Sequence, residues 1–137
     1  MVNKDTVRAR EPDLVLASKA VWVYVGLTVA TLIALVVMTG VAPHLATDEA
    51  WGHQIIVAIF AVLLPLRMRA ARGGSSGAVR AVLIIATVVG VVNLVEAILP
   101  VFPLWTRIVM LVVVVTMAAL VAILTGRIGA RATAATK

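Results

Sequence analysis

The 137-residue chain has no cysteine, which excludes disulfides, thiolate metal sites and cysteine nucleophiles and leaves the redox compartment unaddressed. No glycine-rich phosphate loop follows a strand, and no GxSxG elbow appears. GGSSG, residues 73 to 77, is a short turn between basic residues rather than a nucleotide site. The paired carboxylates of a hydrolase are missing as well, because Glu96 is the one acidic residue inside an apolar run. An enzymatic role would therefore have to rest on chemistry supplied by a bound cofactor. No repeat of 20 to 50 residues is visible.

What is present is apolar. Hydrophobic residues make up 63% of the chain and the mean hydropathy is +1.14, beyond what a water-facing surface carries. The composition predicts an integral membrane protein. Twelve Lys and Arg against six Asp and Glu give a net charge of +6. In a soluble chain such a balance would point to nucleic acid. Here the basic residues fall in three groups between apolar runs instead of forming a patch, so the expected partner is the lipid bilayer and no nucleic acid is expected.

A hydrocarbon core about 30 Å thick is crossed by roughly 20 helical residues. Residues 20–40, 50–68, 78–99 and 104–126 meet that requirement, separated by GVAPHLATDE, RAARGGSSG and PVFP. Such short links make successive helices antiparallel neighbours. The expected fold is all-α, an antiparallel four-helix transmembrane bundle. Residues 1–19 form a basic segment before it, and residues 127–137 a tail expected to be disordered at ATAATK. The first span is too long for the apolar stretch of a cleaved leader.

Lys4, Arg8, Arg10, Lys19, Arg67, Arg69, Arg72, Arg80, Arg127, Arg131 and Lys137 all fall on one side of this topology, and Arg107 on the other. The positive-inside rule then sets both termini in the cytoplasm of a multi-pass cell-membrane protein. Trp22 at the inner edge, and Trp51 and Trp105 at the outer edges, suit the same arrangement.

Because lipid is as apolar as leucine, close backbone approach at small residues has to help hold the helices together. Gly26, Ala30 and Ala34 on the first span, Ala86, Gly90, Asn93 and Ala97 on the third, and Ala118, Ala122 and Gly126 on the fourth are the expected packing stripes.

GVVNLVEAILPVFPLWTRIV, residues 90 to 109, sets Asn93, Glu96 and Arg107 in apolar surroundings. An ionised side chain deep in a bilayer costs roughly 3 kcal/mol even on lenient scales. Glu96 and Arg107 lie at similar distances from the PVFP turn and are expected to pair across the hairpin, with Asn93 as a hydrogen-bonding neighbour. Such a pair either fixes register or makes Glu96 a protonatable transport gate. His53 enters the second span at the same depth, so a cluster of His53, Asn93, Glu96 and Arg107 is geometrically allowed.

His44, Asp48, Glu49 and His53 lie within ten residues on the outer side. Imidazoles among carboxylates bind divalent metals, respond to pH or are simply solvated. Pro43 argues against one continuous helix through both histidines, so no cofactor is predicted, and a metal or haem at His44 and His53 remains an alternative. An acid ahead of a histidine at the outer start of a helix is faintly similar to half of a haem A synthase. That family's second histidine falls where this sequence has Arg107, so membership is not assigned. The short length and four spans also resemble small multidrug transporters, but the first span lacks their embedded glutamate. The leading expectation is a non-enzymatic accessory or scaffolding subunit joined to other membrane protein subunits, or a homo-oligomer. The alternatives are a small proton-coupled transporter or channel using Glu96, and the haem or metal protein.

Overall fold

The computed structural model describes residues 11–136. Lys4, Arg8, Arg10 and Lys137, used above to orient the chain, lie outside the described residues. Four α-helices account for nearly all of the rest: α1 (Glu11–Val41), α2 (Asp48–Arg72), α3 (Ser76–Ala97) and α4 (Leu104–Ala135), with a single 3₁₀ turn, Pro43–Leu45, between the first two. Among the described residues these four are long and apolar enough to cross a membrane.

Each helix begins or ends where local chemistry dictates. The Thr47 side chain accepts from the amide of Ala50 at the start of α2, and Ser75 from Ala78 at the start of α3. Each satisfies one of the free N–H groups of a first turn. Asp48 and Glu49 add negative charge at the positive end of α2. Between α2 and α3 the chain reverses at Gly74, whose φ of 98° favours glycine. Pro100 and Pro103 bracket the turn into α4, whose N-cap is Pro103.

The predicted spans are the middles of longer helices. α1 starts about nine residues before residue 20, with Pro12 in its first turn, where a helix needs no N–H from it. α4 runs on to Ala135, so the tail expected to be disordered is mostly helical. Its sequence, GRIGARATAA, is rich in alanine and arginine, both strong helix formers that continue a helix already nucleated.

The helices pack in a ring in which α1 touches α2 and α4, and α3 touches α2 and α4. On α1 the buried residues are Leu14, Ala17, Val21, Tyr24, Thr28, Thr31 and Leu35; on α4 they are Thr106, Met110, Val113, Met117, Leu120 and Leu124. Both series alternate steps of three and four, the period of helices crossing at about 20° with interlocking side chains. The core continues through Val57, Leu64 and Met68 of α2 and Val82, Ala86 and Val89 of α3. Valines, isoleucines and leucines cover the outside, with Ile33, Val41, Val62, Ile84 and Val115 all more than half exposed. That pattern suits lipid contact and not water.

The small-residue stripes divide. The α3 stripe is used within the chain: Ala86 and Ala97 are buried, and a Cβ on Gly90 would meet the Met117 Cβ of α4 at 3.3 Å. The other two face outward. Gly26, Ala30, Ala118, Ala122 and Gly126 are exposed and Ala34 is half-buried. The α1 and α4 seams inside the bundle lie on neighbouring faces and use threonine, tyrosine, methionine and leucine. Small residues at four-residue spacing thus mark a surface of close approach without saying whether the chain itself fills it.

Candidate functional site

His53, Gln54, Asn93 and Thr106, all buried, lie toward the end of the bundle where α1 meets α2 and α3 meets α4. His53 lies in the second turn of α2 and Glu96 in the last turn of α3. The imidazole Nδ1 is 2.5 Å from Oε2 of Glu96, with side-chain exposures of 8% and 24%. That oxygen makes no aligned hydrogen bond, so the contact is one of proximity rather than a straight N–H donation. Phe102, in the turn between α3 and α4, presents itself edge-on to the His53 ring at a centroid distance of 6.0 Å. It covers the cluster with an apolar surface that strengthens electrostatics beneath it.

The expected Glu96–Arg107 pair does not form. The Arg107 Nε donates instead to the backbone carbonyl of Ala97 at 2.6 Å, and no acid–base contact links Arg107 to Glu96. The reason is helix chemistry. The amides of Ile98 and Leu99 serve the carbonyls of Val95 and Glu96, and the Ala97 carbonyl, at the negative end of the α3 dipole, is left to draw a cation from the next helix. Glu96, in that same last turn, turns to α2 and takes the imidazole. Of the four-residue cluster allowed by the sequence, His53, Asn93 and Glu96 share one cavity and Arg107 stands beside it as a cap on α3.

Asn93 is 2% exposed and donates through Nδ2 to its own helix at Val89 O, 2.8 Å away, leaving Oδ1 without a partner. Thr106 of α4, also 2% exposed, has an unpartnered hydroxyl. Both line a core space of about 10 Å³ together with Thr28, Thr31, His53 and Gln54, close to the smallest volume that accommodates one water molecule. A second cavity of about 60 Å³, between α2 and α3, is apolar except for His53, Asn93 and Glu96. His53 lines both.

Three residues absent from the sequence-based set tie α1 to this site. Gln54 Nε2 donates to Thr28 O at 2.8 Å, and the Tyr24 hydroxyl to Val57 O at 2.9 Å. The Thr28 hydroxyl turns back to Tyr24 O at 2.9 Å. Tyr24, Thr28 and Thr31 sit at steps of four and three, a readable signal for the inward face of α1. The loops close the same end: the Trp105 indole donates to Leu45 O at 3.0 Å, fastening the α1–α2 connection to the start of α4.

His44 is exposed in the 3₁₀ turn while His53 is buried. Among the described residues no group of three or more histidine, aspartate or glutamate side chains is arranged to hold a metal ion. His53 and Glu96 offer two donors, fewer than a metal site needs. What the pair provides is an imidazole set against a carboxylate in a confined, mostly apolar setting.

Comparison with protein-family models, with curated proteins and with solved structures finds no match. The class defined by the fold itself is an all-helical chain with four helices that suggest a multi-pass membrane protein.

Proposed function

We propose that the chain is a non-enzymatic membrane protein that works by helix contact, as a scaffolding or accessory element built from copies of itself, with both termini cytoplasmic. The observation that supports this is the outward stripe on α1. Gly26 and Ala30 are exposed, and a Cβ at Gly26 would meet nothing within 4 Å. Small residues every fourth position let two identical helices approach closely across a two-fold axis, a geometry in which the same stripe serves both partners. The stripe lies on the face of α1 that the bundle leaves open.

The absence of cysteine makes the test clean. Single replacements Gly26→Cys and Ala30→Cys are expected to cross-link into dimers in native membranes, while Leu66→Cys and Ile84→Cys, on other lipid-facing surfaces, are not. A strictly monomeric protein with no cross-link at either α1 position contradicts the proposal. Cross-linking to a different membrane protein instead would favour an accessory subunit of a mixed complex.

A second reading is supported by the His53–Glu96 contact: a proton-linked transport step through Glu96. Under it, Glu96→Gln abolishes proton or solute flux in liposomes while the variant still folds. Under the helix-contact reading the same variant leaves cross-linking intact and liposomes made from either protein carry no flux.

A further inference from the structure

At the end of the bundle opposite the His53–Glu96 pair, α1 and α2 part on their outer side to leave a cleft of about 600 Å³. Ser18 and Trp22 line it from α1; Pro65, Leu66, Arg69 and Arg72 line it from α2. We propose that this cleft holds the phosphate group of an anionic phospholipid, gripped by Arg69 and Arg72. The cleft borders the oligomer stripe, since Trp22 lies one turn before Gly26 on α1, but it needs neither a second copy of the chain nor the polar cluster.

The argument begins with the two arginines. Three residues apart, they share one face of α2. Among the described residues no carboxylate lies within ion-pair distance of either. Nor are their guanidinium groups engaged as caps for the end of α2. The carbonyls of Arg69, Ala70 and Ala71 accept from the amides of Gly73, Ser75 and Gly74, so the turn satisfies its own backbone. Two exposed guanidinium groups are therefore available side by side, and planar guanidinium matches phosphate oxygens with paired N–H donors.

The second part of the argument separates a lipid from free phosphate. Trp22 and Leu66 are 61% and 59% exposed on the lipid-facing flank, and they form an apolar wall continuous with the arginines. A ligand seated here meets positive charge at one end and hydrocarbon along its side, which describes an amphiphile. The level is also right: tryptophan and arginine near the last turn of a spanning helix mark the headgroup region, where basic pockets between helices bind anionic lipid. Pro65 cannot donate to the carbonyl of Ala61, and it lines the cleft with a ring too short to fill it.

The test is native mass spectrometry of the full chain in mild detergent, titrated separately with phosphatidylglycerol, phosphatidylcholine and inorganic phosphate. Phosphatidylglycerol is expected to be retained roughly five-fold more strongly than phosphatidylcholine if one arginine engages it and about thirty-fold if both do. The Arg69→Gln, Arg72→Gln double variant is expected to reduce it to the phosphatidylcholine level. Arg67→Gln, which changes a charge outside the cleft, keeps the preference. Leu66→Trp, which sets a larger ring in the cleft beside Arg69 and removes no charge, weakens it, and this variant decides the matter if the double variant does not fold. Equal retention of the two lipids overturns the proposal. So does a double variant or a Leu66→Trp variant indistinguishable from Arg67→Gln, or displacement of the lipid by inorganic phosphate.

Discussion

Replacing His53 and Glu96 by alanine, singly and together, measures what holds the polar end of the bundle. The imidazole and carboxylate are 2.5 Å apart and mostly buried. Removing one partner of a fully buried pair costs about 3–5 kcal/mol, and hydrogen bonds between membrane helices average about 0.6 kcal/mol with a maximum near 1.7. Glu96 keeps 24% exposure, so solvent or headgroups screen part of the interaction, and a coupling of roughly 1–2 kcal/mol is expected from a double-mutant cycle. His53→Ala alone should cost more than the coupling, because it also removes the edge contact with Phe102, worth about 0.5–1.5 kcal/mol. Unfolding in mixed micelles of dodecyl sulfate, followed by tryptophan fluorescence, reads each variant. The parallel cycle of Glu96→Ala with Arg107→Ala should give the smaller coupling, because no ion pair joins the two side chains. A negligible His53–Glu96 coupling beside a large Glu96–Arg107 one would refute the assignment of partners.

Other parts of the structure make their own predictions. Gly90→Leu drives a side chain into Met117, which already stands 3.3 Å from a Cβ at that position, and should destabilise the α3–α4 hairpin by about 1–3 kcal/mol in the same unfolding assay. Gln54→Leu removes the donor to Thr28 O and should cost about 0.6–1.7 kcal/mol, whereas Thr87→Val, whose hydroxyl bonds only its own helix on an exposed face, should change stability by less than about 0.5 kcal/mol. Trp105→Phe removes the bond to Leu45 O and should speed proteolysis of the Pro43–Leu45 turn, with little effect on the α2–α3 turn.

Helix number and approximate limits were legible in the sequence because apolar runs of bilayer length separated by Gly and Pro leave little else to form. The ends were less legible. Hydropathy falls where the helix leaves the apolar layer, yet the backbone bonds of α4 continue to Ala135, since alanine and arginine favour helix in either setting. Small size does not mark the inward faces of α1 and α4, where Gly26, Ala30, Ala118 and Ala122 are exposed. In a chain apolar on every side, the better marks are the polar and aromatic residues that lipid would penalise: Tyr24, Thr28, Thr31, Gln54 and Thr106. Asn93, Glu96 and His53 stood out for that reason, and the structure brings them to one cavity. Pairing charge with charge points Arg107 at Glu96, whereas its acceptor, the carbonyl of Ala97, is invisible in a sequence until the helix end is known.

The most direct test of the account is the distance between the imidazole nitrogens of His53 and the side-chain carboxyl of Glu96, measured by rotational-echo magnetic resonance on isotope-labelled protein in lipid bilayers. Strong dephasing of the Glu96 carboxyl by the His53 nitrogens, consistent with the 2.5 Å contact, and markedly weaker dephasing by the Arg107 guanidinium is the expected result. Dephasing by Arg107 with silence from His53 would contradict it.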